Sequence, residues 1–221
     1  MLTDRYKHAL VFAAEVHEGH TRKQTDIAYL AHLISVSALV MEHGGSETEA
    51  IAALLHDSIE DRGDEYVSRF HVPPLRGRPA LKRDIEYLFG REVLGIVLDC
   101  TDDEYLPQRE PAQKGTVEEW LLRKETFLEQ LRRSSALDSL RVSCADKLHN
   151  ARSLLSDYEL EGESIWRLFR TGNKADQVWY YGSSAEIFSV RAAALDDPGL
   201  RRMAGEIAAI VERIEAMDVA D

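Results

Sequence analysis

Apolar residues return at helical spacing along nearly the whole chain, and the two-residue alternation of a half-buried strand is nearly absent. The stretch after Tyr29 is representative. Leu30, Leu33, Ile34, Ser37, Val40 and Met41 share one face, and Gly44-Gly45 ends the run. Ser46-Glu47-Thr48-Glu49 then gives the capping-box pattern that opens another helix. A first helix is predicted over about 4–17, with Thr3 as N-cap and Gly19 as stop, and further helices over about 80–90, 91–99, 116–133, 136–156, 174–194 and 199–217. The fold class is therefore all-α: one helical-bundle domain over 1–195, with a C-terminal helix in 196–221 packed on it. Two proline-bearing stretches, 72–79 and 102–115, are predicted loops, and fraying is expected over the last residues, 217–221.

The third helix runs from Ser46 into Ala52-Ala53-Leu54-Leu55-His56-Asp57-Ser58-Ile59-Glu60-Asp61, where an apolar segment suddenly carries an imidazole and three carboxylates. A continuous helix would set His56 over Glu60 and Asp57 over Asp61. Carboxylates held that close repel one another unless a cation sits among them, and imidazole with carboxylate suits a divalent transition metal. His32 in Tyr29-Leu30-Ala31-His32-Leu33-Ile34 and Asp146 in Val142-Ser143-Cys144-Ala145-Asp146 are polar residues in apolar runs, and they complete a candidate ligand set of His32, His56, Asp57 and Asp146. Glu60 and Asp61, one turn beyond, are placed to orient and deprotonate a water molecule. Read singly, each of these residues also fits a satisfied core group, a cap or a solvated face.

Taken together, the order His, His-Asp, Asp resembles the HD superfamily of metal-dependent phosphohydrolases. His-Asp-x-x-Glu-Asp, with Arg22-Lys23 upstream and Asp146-Lys147-Leu148-His149-Asn150 downstream, resembles more closely the hydrolase domain of RelA/SpoT-type alarmone enzymes. Asn173-Lys174 and Val178-Trp179-Tyr180-Tyr181 resemble a segment of small stand-alone relatives. The resemblance implies removal of a 3′-pyrophosphate from an alarmone nucleotide, guanine- or adenine-based, as in the stringent response. It favours a single manganese ion among the metals that a nitrogen and oxygen ligand set admits. It places Arg22 against the base, Asn150 and Ser153 against the nucleoside, and Lys174 and Tyr181 at the distal phosphates. Lys23 and Lys147 supply local positive charge. Threonine is commoner in the family where Ser153 stands, and arginine where Gly182 stands, so one cationic contact is missing. The 72–79 loop, with Arg76 and Arg78, is either a plain surface insertion or a source of replacement charge at the site's mouth. His149 is assigned a structural place, and His8, His17, His20, His43 and His71 receive no role.

Bulk properties narrow the alternatives. A net charge of −12 and a pI near 5.2 argue against non-specific nucleic-acid binding, which needs Lys and Arg to neutralise phosphates. No apolar run is long enough to span a bilayer, and the N-terminus enters an amphipathic pattern at once, so a cytoplasmic protein with a nucleotide substrate and no membrane partner is expected. Cys100 and Cys144 stand in apolar stretches and are expected as buried reduced thiols. The competing classes are an HD-type nucleotidase or deoxynucleotide triphosphohydrolase, and a non-catalytic nucleotide-sensing module.

Overall fold

Thr3 accepts a hydrogen bond from the Arg5 amide and starts α1 (Asp4–Val16), which buries Ala9, Phe12, Ala13 and Val16 at helical spacing. The structure, a computed structural model, describes residues 2–22, 25–101 and 116–217. Among them there is no strand, only isolated bridges between Thr21 and Ala28 and between Val67 and Arg76. The fold is all-α. Lys23, the 102–115 loop and the last four residues, for each of which the sequence carried an expectation, lie outside the described residues. None of the described helices is long and apolar enough to cross a membrane.

The chain divides into two compact units, Met1–Glu104 with Arg141–Ser143, and Tyr105–Leu140 with Cys144–Asp221. In the first, α2 (Leu30–Glu42) and α3 (Glu47–Leu55) pack against each other, and α3 also meets α1 and α6 (Arg91–Cys100). Every residue from Ala50 to Leu55 is fully buried, so α3 is apolar all round, as a helix at the centre of a core must be. Its N-terminus carries the predicted capping box. Ser46 accepts from the Glu49 amide, and the Glu49 carboxylate accepts from the Ser46 amide at 2.6 Å. The other Glu49 oxygen accepts from the guanidinium of Arg141, giving an ion pair with both partners buried.

The predicted continuous helix through His56-Asp57 is not observed. α3 ends at Leu55, and a short α4 (Ser58–Arg62) begins after a two-residue break at His56 and Asp57. The cause is local. His56 Nδ1–H donates to the Ala53 carbonyl at 2.8 Å, the acceptor that a continuing helix would offer to the Asp57 amide. The Asp61 amide still donates to the Asp57 carbonyl at 2.9 Å, so the one-turn relation between those two survives. The 72–79 stretch is loop only as far as Gly77. Arg78 opens α5 (Arg78–Phe89) with Pro79 in its first turn, and its guanidinium pairs with Asp64 at 3.0 Å. Arg76 is exposed, and its backbone bridges to Val67.

In the second unit, Thr116 caps α7 (Val117–Arg133), and α8 (Leu137–Glu161) leads into a 3₁₀ turn at Gly162–Leu168. Asn173 caps α9 (Lys174–Ala194), and Asp197 with Pro198 starts α10 (Pro198–Ala216). α7 and α10 both pack on α9. Both cysteines are free and buried, as expected. Burial pushes the Cys144 thiol well up, and Asp146 adds to the shift, so this sulfur stays an inert thiol.

Candidate metal centre

Three of the four expected ligands converge within the first unit. His32, near the start of α2, and His56, just past α3, are almost fully buried, with ring centroids 5.2 Å apart and edges meeting at 60°. Their Nε2 atoms face the same Asp57 oxygen, at 3.5 Å from His32 and 3.0 Å from His56. A carbonyl only accepts, so the bond to Ala53 fixes the His56 proton on Nδ1 and turns the Nε2 lone pair toward Asp57. A nitrogen lone pair and a carboxylate oxygen at that distance repel in a buried site, and a cation between them removes the repulsion. One atom from each of the three residues lies within 4.8 Å of the others, which suits a divalent ion that accepts imidazole and carboxylate. The donor set fits a metal.

Tyr29 was not singled out from sequence. Its hydroxyl donates to Asp57 Oδ2 at 2.6 Å, which fixes the carboxylate against the two imidazoles. The signal in the sequence was its place three residues before His32, one turn along the same helical run. Arg22, the expected base-stacking residue, lies 5.8 Å from the Tyr29 ring centroid, a cation–π distance. The Tyr29 ring also stacks on His20 at 4.1 Å and on His17 at 5.2 Å. Thus two histidines given no role from sequence stand beside the site.

Glu60 and Asp61, on α4, face the same region. The Asp61 carboxyl is open to solvent on one side, but the protein crowding its other sides strips water from it. That loss of solvation, then the charges of Asp57 and Glu60, push it up to about 7, while the Tyr29 hydroxyl and the His56 imidazole pull the other way. Burial holds the His17 imidazole down at about 3, against the pull of the Asp57 carboxylate.

The remaining expected site residues belong to the second unit. Asp146 sits on α8, a helix that also carries Arg141–Ser143 of the first unit. Lys147 Nζ donates to one Asp146 oxygen at 2.7 Å, and Asn150 Nδ2 to the other at 2.6 Å. Lys147 is buried, with its ammonium 4.8 Å from the Phe127 ring centroid and 5.8 Å from that of Tyr180. Ser153, one turn after Asn150, donates to the His149 carbonyl at 3.1 Å. Lys174 donates to the Tyr158 hydroxyl at 3.3 Å and lies over its ring, while Tyr158 in turn donates to Glu163. Burial, helped by Tyr180, pushes the Tyr181 phenol up to about 12, so it stands as a neutral hydrogen-bonding group.

The HD-domain family profile matches residues 9–173, most of the chain. The chain belongs to the HD-domain family. Within that family it is 32% identical over 146 residues to the Xenopus tropicalis guanosine-3′,5′-bis(diphosphate) 3′-pyrophosphohydrolase MESH1, covering 65% of each protein. It is 30% identical over 153 residues to the Drosophila melanogaster MESH1 of the same name, covering 68% of this chain and 69% of that one. The HD-domain chain thus spans just under two thirds of the Xenopus relative. A solved structure of a metazoan SpoT orthologue, described as hydrolysing ppGpp and acting in starvation responses, aligns with a TM-score of 0.60. That alignment covers 99% of this chain and 97% of the other at 22% identity, a likeness of fold.

Proposed function

We propose that this HD-domain protein hydrolyses the 3′-pyrophosphate of an alarmone nucleotide, with ppGpp as the leading substrate and a single manganese ion as cofactor. The observation that carries the reading is the convergence of His32, His56 and Asp57, with Glu60 and Asp61 on the next turn. The activity named for the Xenopus and Drosophila relatives supports the choice of reaction. Asp146 is the proposed fourth ligand, its carboxylate oriented by Lys147 and Asn150. A divalent cation held there supplies Lewis acidity, lowering the pKa of water at the site and offsetting charge on the phosphate oxygens.

The chain's own residues do the rest. Tyr29 and the Nδ1 anchor of His56 hold the ligands in place before substrate arrives. Glu60 and Asp61 orient the attacking water and take its proton. The water oxygen bonds to the phosphorus on the ribose 3′ oxygen, the bond from that phosphorus to the 3′ oxygen breaks, and the 3′ oxygen leaves with a proton. The products are pyrophosphate and the 5′ nucleotide. Arg22 presents its guanidinium plane to the base, and Asn150 with Ser153 faces the nucleoside. Lys23, Lys147, Lys174 and Tyr181 meet the phosphates.

A panel of nucleotides tests this directly. Purified protein with Mn²⁺ is expected to release pyrophosphate from ppGpp or its adenine counterpart, and to leave nucleoside triphosphates and 5′-monophosphates intact. Turnover of a deoxynucleoside triphosphate or a monophosphate instead would place the chain with the other HD-type hydrolases.

A further inference from the structure

We propose that His17, His20 and Asp61 form a second cation site, for a divalent first-row transition metal, beside the site of His32, His56 and Asp57. His17 caps the C-terminus of α1, and the chain reverses through Gly19 at φ +70°, which brings His20 back against it. The two Nδ1 atoms end 3.0 Å apart, and one atom from each of His17, His20 and Asp61 lies within 4.8 Å of the other two. Two imidazole nitrogens bound to one metal at about 2.0–2.1 Å stand roughly 2.9–3.4 Å apart for coordination angles between a right angle and tetrahedral. The pair already has that spacing. Without metal, an N–H···N hydrogen bond spans the gap, and binding replaces the shared proton with the cation after a tautomer shift and a small ring rotation.

The surroundings fit the same role. His17 Nε2 faces the buried Ser58 hydroxyl at 3.3 Å, so the ring nitrogen not used for metal has the outer partner that ligating histidines characteristically have. Two imidazoles and one carboxylate suit zinc, cobalt or iron, with positions left for water. Arg62 and Arg22 are the opposing cations. The Arg62 guanidinium donates to the Val16 carbonyl and pairs with Glu65, that of Arg22 lies over the Tyr29 ring, and Asp57, Glu60 and Asp61 together outweigh their charge. Occupancy has a functional consequence that rests on the reading above. Asp61 bound to a second ion no longer accepts a proton from water, so metal in excess of one equivalent inhibits.

Calorimetric titration of metal-free protein with Zn²⁺ tests the site, alongside His20→Ala, His56→Ala and the double variant. His20 is only half-buried, so its removal leaves the buried His17 and the core around it in place. Wild type is expected to bind two equivalents. His20→Ala keeps one and loses inhibition by excess Zn²⁺, His56→Ala keeps one, and the double variant binds none. A wild type that binds one equivalent, lost in His56→Ala and unchanged in His20→Ala, overturns the second site and leaves the first intact. Two equivalents retained in His20→Ala also overturn it. One equivalent lost only in His20→Ala supports the second site and contradicts the first.

Discussion

At the scale of single residues, the site works by holding its groups still before anything binds. Tyr29 is the clearest case, since its hydroxyl donates to Asp57 while its ring packs against His20 and Arg22. Tyr29→Phe keeps the packing and removes the bond, so metal affinity is expected to fall about 10–100-fold, as for other outer partners of metal ligands; a competition titration with a chelating dye reads it. Glu60→Gln and Asp61→Asn are expected to keep the metal at His32, His56 and Asp57 while turnover drops roughly 10²–10⁴-fold. Full activity in both would make these carboxylates structural. His17 yields a pH prediction for the metal-free protein. Its folded pKa of about 3 lies below the ordinary 6.5, so below pH 6.5 the unfolded chain takes up a proton that the native state refuses. Stability is full above pH 6.5 and falls as the pH drops toward 3, with a loss of about 2 kcal/mol by pH 5 from this group. Denaturant melts at pH 7.5 and pH 5 should differ less in His17→Gln than in wild type.

At the scale of elements, α3 decides where the chemistry sits. Its fully buried, apolar body leaves His56-Asp57 nowhere to go but the end of a core helix. The buried pair of Glu49 with Arg141 fixes the other end of α3 and ties a turn of α8 to it. Glu49→Ala strands a buried guanidinium and is expected to cost about 3–5 kcal/mol, whereas replacing both partners with apolar residues should cost much less. Thermal melts of the single and double variants measure this. The helices themselves were legible because capping residues and periodic apolar positions agree, as at Thr3 and at Ser46 with Glu49. The break after Leu55 was not legible. It depends on one side-chain bond from His56 to Ala53, and helical periodicity carries no trace of that. His17, His20 and Tyr29 were missed for a related reason: a reversal at Gly19 and an aromatic stack bring them to the site, and sequence spacing reports neither.

At the scale of the whole molecule, a net charge of −12 opposes the approach of the polyanion proposed as substrate. Arg22, Lys147 and Lys174 are the described cations assigned to that task, and each is already seated on an aromatic ring. Such rings shield the cations without cancelling their charge. The central claim is metal-assisted attack of water on the phosphorus at the ribose 3′ oxygen. Hydrolysis of ppGpp by the Mn²⁺-loaded protein in ¹⁸O-labelled water, quenched with chelator and followed by ³¹P NMR, tests it most directly. The prediction is label in the released pyrophosphate, an unlabelled 5′-diphosphate nucleotide, and no turnover in His56→Ala. Unlabelled pyrophosphate, release of single phosphates, or undiminished turnover in His56→Ala would contradict it.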